Sequence, residues 1–170
     1  ADSDLPARFP GGGSTAPDWF ASIQPQVEAH LGPTRSRLNI VAGNVFPNFS
    51  LLPRVFSIRV NHPRGPQATE VWSYCLLPAD APDEVRSAIH GQYQLVFGPG
   101  GLVEAEDGEN WISMTSGAAS ARTDDRPLYV DMGLGTEYRT DELPGTLGPL
   151  MSEHNQRGFY RTWRRWMTEA

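Results

Sequence analysis

Residues 54–77 read RVFSIRVNHPRGPQATEVWSYCLL. Phe56, Ile58 and Val60 alternate with Val55, Ser57 and Arg59, and the run Glu70–Leu77, carrying Val71, Trp72, Tyr74 and Leu76, is of the same kind. Period-two alternation rich in β-branched and aromatic residues is the signature of a strand. His62-Pro63-Arg64-Gly65-Pro66 between the runs suits a turn, so the stretch predicts an antiparallel hairpin. Just upstream, Leu38–Phe46 is apolar and ends at Pro47-Asn48, which predicts a buried third strand.

Helical periodicity flanks these strands. Trp19, Phe20, Ile23, Val27 and Leu31 fall at helical spacing after the cap candidate Asp18, with Gly32-Pro33 as the stop and Pro25 as a break. Asp80-Ala81-Pro82-Asp83-Glu84 is a helix start, with a cap candidate, an early proline and two acids facing the positive helix end. Val85, Ile89, Tyr93 and Val96 follow as one apolar stripe, stopped by Gly98-Pro99. Residues 104–110 read as an acidic loop, Trp111–Met114 and Leu128–Met132 as short strands, and Gly133–Leu150 as an extended surface loop. From Ser152 onward a last helix places Phe159, Trp163, Trp166 and Met167 on one face and Arg157, Arg161, Arg164 and Arg165 on another, read as a solvated basic face. The order predicts an α+β domain with a mostly antiparallel sheet and a terminal helix packed on it. Residues 1–17, with three consecutive glycines, read as a flexible lead-in, and 18–170 as the domain.

Composition removes several functions. The net charge of −6, with all fourteen basic residues arginine, argues against a nucleic-acid surface. No run approaches the roughly 18 apolar residues of a membrane span, and no basic-then-apolar leader opens the chain, so a cytoplasmic protein without membrane attachment is expected. Cys75 is the sole cysteine, so the chain has no internal disulfide, thiolate zinc site or cysteine-ligated iron-sulfur cluster. With no histidine beside it in sequence, Cys75 is not expected to act as a nucleophile. On composition alone Asp107, with Glu104, Glu106 and Glu109, reads as part of a solvated acidic loop rather than as a ligand.

Seven short stretches, in order, resemble the large subunits of Rieske non-haem iron oxygenases. They are Asn44-Val45-Phe46-Pro47-Asn48-Phe49-Ser50, His62-Pro63-Arg64-Gly65-Pro66, Thr69-Glu70-Val71-Trp72, Asp80-Ala81-Pro82, Phe97-Gly98-Pro99-Gly100-Gly101, Glu106-Asp107-Gly108-Glu109-Asn110-Trp111 and Asn155-Gln156-Arg157-Gly158-Phe159-Tyr160-Arg161. The resemblance implies a helix-grip fold, in which a curved antiparallel sheet and a long carboxyl-terminal helix enclose a pocket for an aromatic ring. It implies cis-dihydroxylation of that ring with O2 at a mononuclear Fe(II) held by two histidines and one carboxylate, an arrangement that leaves positions open for oxygen. Asp107 matches the carboxylate ligand. Ala42, Leu52, Phe97 and Val103 match pocket positions, and Asn110 and Trp111 are placed to brace the ligand loop.

The departures from the family pattern are equally informative. The D-x-x-H-x-x-x-x-H segment that supplies the histidines is absent, and His30, His62, His90 and His154 have no such spacing. The C-x-H and C-x-x-H ligands of a Rieske [2Fe-2S] domain are absent too. The resemblance therefore implies part of a catalytic domain, inactive by itself. In the complete subunit electrons would arrive from NAD(P)H through a reductase, a ferredoxin and the Rieske cluster, in an α3 or α3β3 assembly. A metal-free helix-grip module binding an apolar ligand is the alternative, and an assembly element using the basic helix a third.

Overall fold

A computed structural model describes residues 15–38, 40, 42–119 and 129–169. They fall into two compact units, one within residues 1–120 and the other within 121–170. The glycine-rich stretch read as a lead-in lies mostly outside the described residues, as does Leu128 of the last strand expected.

The first unit is built on a four-stranded antiparallel sheet in the order β1-β2-β3-β4, comprising β1 (Gly43–Val45), β2 (Phe49–Leu52), β3 (Ser57–Pro63) and β4 (Thr69–Cys75). The β3–β4 hairpin forms as expected, with seven pairs from Ser57↔Cys75 to Pro63↔Thr69. At its tip the Arg64 N–H donates to the Ala68 carbonyl at 2.8 Å, and Gly65 takes φ 104°, a left-handed backbone that favours glycine. His62 and Pro63 belong to the strand rather than the turn, and Arg54 and Val55 form a 3-10 turn (Pro53–Val55) ahead of it. The expected buried strand over 38–46 is corrected to three residues at the sheet edge. Leu38 and Ile40 precede it and are exposed, because an edge strand has one neighbour and little to bury against.

Helix α1 (Thr15–Arg35) runs through Pro25 and is interrupted instead at Gly32, whose φ of 79° and ψ of 165° are non-helical. The missing Pro25 N–H is tolerated because the amino-terminal half is held by packing. Ala16 is fully buried, and Phe20 stacks on Phe56 at 5.3 Å. Helix α2 (Asp83–Phe97) starts at Asp83 after Pro82, so Asp80 is not its cap, and it buries Val85 and Ile89 as the apolar stripe requires. Ala16, Ala81, Val85 and Ile89 form the core, with Trp19, Phe20, Phe56 and Cys75 packed against it. Burial there pushes the Cys75 thiol pKa up, which keeps it protonated and supports a packing role.

The acidic loop and the strand read over 104–114 are one helix, α3 (Glu104–Ala118). Glu104, Glu106 and Asp107 occupy its first turn, where carboxylates favour the free N–H groups. None of its residues is fully buried, so no core imposed a legible 3.6-residue stripe on its sequence.

In the second unit, residues 129–153 carry one antiparallel bridge, Tyr138↔Leu147, and no strand at 129–132, followed by α4 (His154–Thr168). Arg157 is corrected from the solvated basic face to a buried clamp. Its guanidinium donates to the carbonyls of Val130 (2.8 Å), Met132 (3.0 Å) and Gly133 (3.4 Å) and to the Glu137 carboxylate (2.5 Å). Hydrogen bonds from its own backbone N–H and from Arg157 hold Glu137 down to about 2, from an ordinary 4.5. A carboxylate depressed in the folded state stabilises above its unfolded pKa, and the contribution is lost as pH falls through the folded one. The bridge amides of Tyr138 and Leu147 are therefore expected to lose protection between about pH 4.5 and about pH 2, measured as hydrogen-exchange protection factors. Unchanged factors across that window would contradict the clamp.

Candidate functional site

The inward face of the sheet follows from register. Asn44 pairs with Ser50 and Ser50 with Arg59, while Asn61 pairs with Val71, so these side chains and Leu52 share one face. On α3, positions 107, 108, 111, 112 and 115 form one helix face. Between the two faces lies a cavity of about 730 Å³, whose lining also includes Phe97 and the hairpin tip, Pro66 to Thr69. The helix supplies Asp107, Trp111, Ile112 and Thr115, and the sheet side supplies Ala42, Asn44, Ser50, Leu52, Arg59, Asn61 and Val71.

The turn from α2 to α3 sets where Asp107 stands. The Gly101 N–H donates to the Gly98 carbonyl (2.8 Å), and the Leu102 N–H to the Leu95 carbonyl (2.9 Å), folding the chain back on the end of α2. A Cβ at Gly98 would lie 2.5 Å from the Gln94 carbonyl oxygen, and one at Gly101 2.5 Å from that of Val96. Only glycine permits so close an approach, which gives the F-G-P-x-G sequence a steric reason. One turn into α3, Asp107 is half-buried, and its N–H donates to the Val103 carbonyl at 2.9 Å.

Arg59 ties the sheet to this helix. It is 6% exposed, pairs through a terminal guanidinium nitrogen with the Glu104 carboxylate, and lies 4.6 Å over the Phe97 ring. Its Nε is buried without a hydrogen-bond partner. Farther down the same sheet face, Tyr93 donates to Ser73 (3.0 Å), which meets Ser57 at 3.3 Å and satisfies that buried hydroxyl.

Of the residues singled out in the sequence, Ala42, Leu52, Phe97 and Asp107 come together in the cavity. Val103 is not among its lining residues and stands at the start of α3. Trp111 lines the cavity, while Asn110 is exposed and does not. Sequence reasoning missed Arg59, Asn44, Ser50 and Asn61. The available signal was the period of two itself, since Ser57, Arg59 and Asn61 alternate with Ile58 and Val60.

The donor set bears on a metal. Asp107 offers a hard oxygen donor at the cavity wall, which suits ferrous iron. Among the described residues no group of three or more His, Cys, Asp or Glu could hold an ion. His30 and His90 are exposed on α1 and α2, His62 lies 4.9 Å from the Trp72 ring, and His154 meets the Thr146 carbonyl at 2.9 Å. The described residues thus fit iron as one ligand of a set and do not form a complete site.

An α+β helix-grip domain with a cavity in the size range of small-molecule sites is the class that fold and site define. The chain belongs to the family described as ring hydroxylating alpha subunit (catalytic domain), which matches residues 12–169. It is 38% identical over 141 residues to the biphenyl 2,3-dioxygenase subunit alpha of Rhodococcus jostii, covering 81% of this chain and 31% of that one. To the benzene 1,2-dioxygenase subunit alpha of Pseudomonas putida it is 37% identical, covering 73% and 28%. The structure of naphthalene 1,2-dioxygenase with indole bound in the active site superposes with a TM-score of 0.76 at 28% identity, covering 86% of this chain and 34% of that one. The chain thus spans about a third of the length of the relatives it matches. Among the described residues no helix is long and apolar enough to cross a membrane.

Proposed function

We propose that residues 18–170 form the substrate-pocket part of the catalytic domain of an aromatic-ring-hydroxylating dioxygenase large subunit. In the reaction an arene, O2, two electrons and two protons give a cis-dihydrodiol. The observation that carries this reading is Asp107 on the wall of a ring-sized cavity, on the same helix face as Trp111 and Ile112. The relatives are named for biphenyl, benzene and naphthalene, which supports an aromatic substrate class.

Each side chain has a separate task. Leu52, Val71, Phe97 and Ile112 present apolar surface to a flat ring and exclude water from it. Asp107 would hold the iron as its carboxylate ligand, and two histidines from elsewhere in the oxygenase would complete the set. The iron, when bound, supplies the activation of dioxygen. Arg59 holds α3 and Phe97 in register with the sheet, so that ring and carboxylate keep a fixed separation. With one ligand of three, this chain alone is expected to be without turnover. Its electrons would come from NAD(P)H through a reductase, a ferredoxin and a Rieske [2Fe-2S] cluster, in an α3 or α3β3 assembly.

The test is a chimera joining this chain to the amino-terminal two-thirds of the R. jostii biphenyl dioxygenase subunit alpha, assayed with biphenyl, reductant and 18O2. Doubly labelled cis-dihydrodiol, reduced at least a hundredfold by Asp107→Ala, is the expected outcome. Product formation indifferent to Asp107→Ala would remove Asp107 from the site.

A further inference from the structure

The cavity floor is more polar than a hydrocarbon requires. Asn44, Ser50 and Arg59 form a row across three adjacent strands, and Asn61 stands two residues along β3 on the same face. The Ser50 hydroxyl donates to Asn44 Oδ1 at 2.8 Å, and among the described residues no hydrogen bond engages the N–H groups of Asn44, which stands at the exposed edge of the floor. Among the described residues no side-chain hydrogen bond engages Asn61. Arg59, nine-tenths buried, has an unpartnered Nε beneath the same floor. Facing this row are the apolar Phe97 and Ile112. Donors left unpaired when a bare hydrocarbon displaces water weaken its binding, whereas a ligand acceptor placed on them restores it.

Charge decides which acceptor. Among the described residues the one cation lining the cavity, Arg59, is already paired with Glu104, and Asp107 lines the same cavity. In the 170-residue chain without iron, an anionic substituent would meet an excess of negative charge.

We propose that the Asn44–Asn61 floor is a subsite for a neutral hydrogen-bond-accepting substituent, so that the preferred ligands are arenes bearing a carbonyl or hydroxyl group rather than unsubstituted hydrocarbons or aromatic carboxylates. The proposal rests on the reading of this cavity as the ring pocket, and the experiment separates the two.

Binding of biphenyl, 4-acetylbiphenyl and biphenyl-4-carboxylate to the full 170-residue chain is measured by quenching of tryptophan fluorescence and by titration calorimetry. The acetyl compound is expected to bind about tenfold tighter than biphenyl, the gain of one or two hydrogen bonds, and the carboxylate weakest of the three. In Asn61→Leu and Asn44→Leu the ratio of acetyl-compound to biphenyl affinity should fall towards one. Equal binding of biphenyl and its acetyl derivative would overturn the subsite and leave the ring pocket standing. Tightest binding of the carboxylate would overturn the neutral class, and binding of none of the three would overturn both. The comparison on the unmodified chain decides these outcomes even if a variant fails to fold.

Discussion

Arg157→Met is expected to release residues 129–153 from α4. The guanidinium of Arg157 holds three backbone carbonyls, those of Val130, Met132 and Gly133, and methionine fills similar space while offering no donor. Hydrogen bonds from a charged donor are worth about 1.5–3 kcal/mol each. Removing three such bonds is therefore expected to cost roughly 4 kcal/mol or more, before the loss of the Glu137 pair is considered. The readout is amide exchange: Tyr138 and Leu147, each bonded to the other's carbonyl at 2.9 and 2.8 Å, should exchange at rates near those of an unfolded peptide. Retained protection in Arg157→Met would show that the loop is held by something other than the clamp.

Arg59→Met is expected to cost the first unit about 3 kcal/mol, the low end for breaking a buried ion pair, because Glu104 is still partly exposed. The loss has two parts. Glu104 keeps its charge at the start of α3 without a partner, and the Phe97 ring loses the cation 4.6 Å above it. Replacing both partners, as in Arg59→Met with Glu104→Met, should recover most of the loss, since apolar groups of similar volume remove the unpaired charge as well as the bond. Urea denaturation of the two single variants and the double variant closes the cycle. A single-variant loss below about 1 kcal/mol would place the pair in the class of exposed, weakly contributing ion pairs.

What was legible in the sequence follows from where burial imposes a period. The β3–β4 hairpin and α2 announce themselves because alternating or stripe-forming residues are bounded by Gly65 and Gly98-Pro99. Helix α3 does not, because Trp111, Ile112 and Met114 are exposed and the acids of its first turn look like a loop when read without the backbone. Arg59 was invisible for a related reason. A charged residue alternating with Ile58 and Val60 reads as solvent-facing, yet Ser57 and Arg59 are buried, since Glu104, Ser73 and Tyr93 arrive from distant sequence to satisfy them. Arg157 misled in the same way, falling at helical spacing with Arg161 and Arg164 while its carbonyl partners lie 24 to 27 residues earlier. Asp107 was found through the resemblance and not through periodicity, and its cavity neighbours Ala42, Leu52 and Phe97 came with it.

The most direct test of Asp107 as an iron ligand is the ferrous iron content of the biphenyl dioxygenase chimera after anaerobic loading and desalting, with the 170-residue chain alone as baseline. One mononuclear iron per subunit in excess of the [2Fe-2S] cluster, lost in Asp107→Ala and partly kept in Asp107→Glu, with none retained by the chain alone, is the predicted result. Full mononuclear iron in Asp107→Ala would contradict the account.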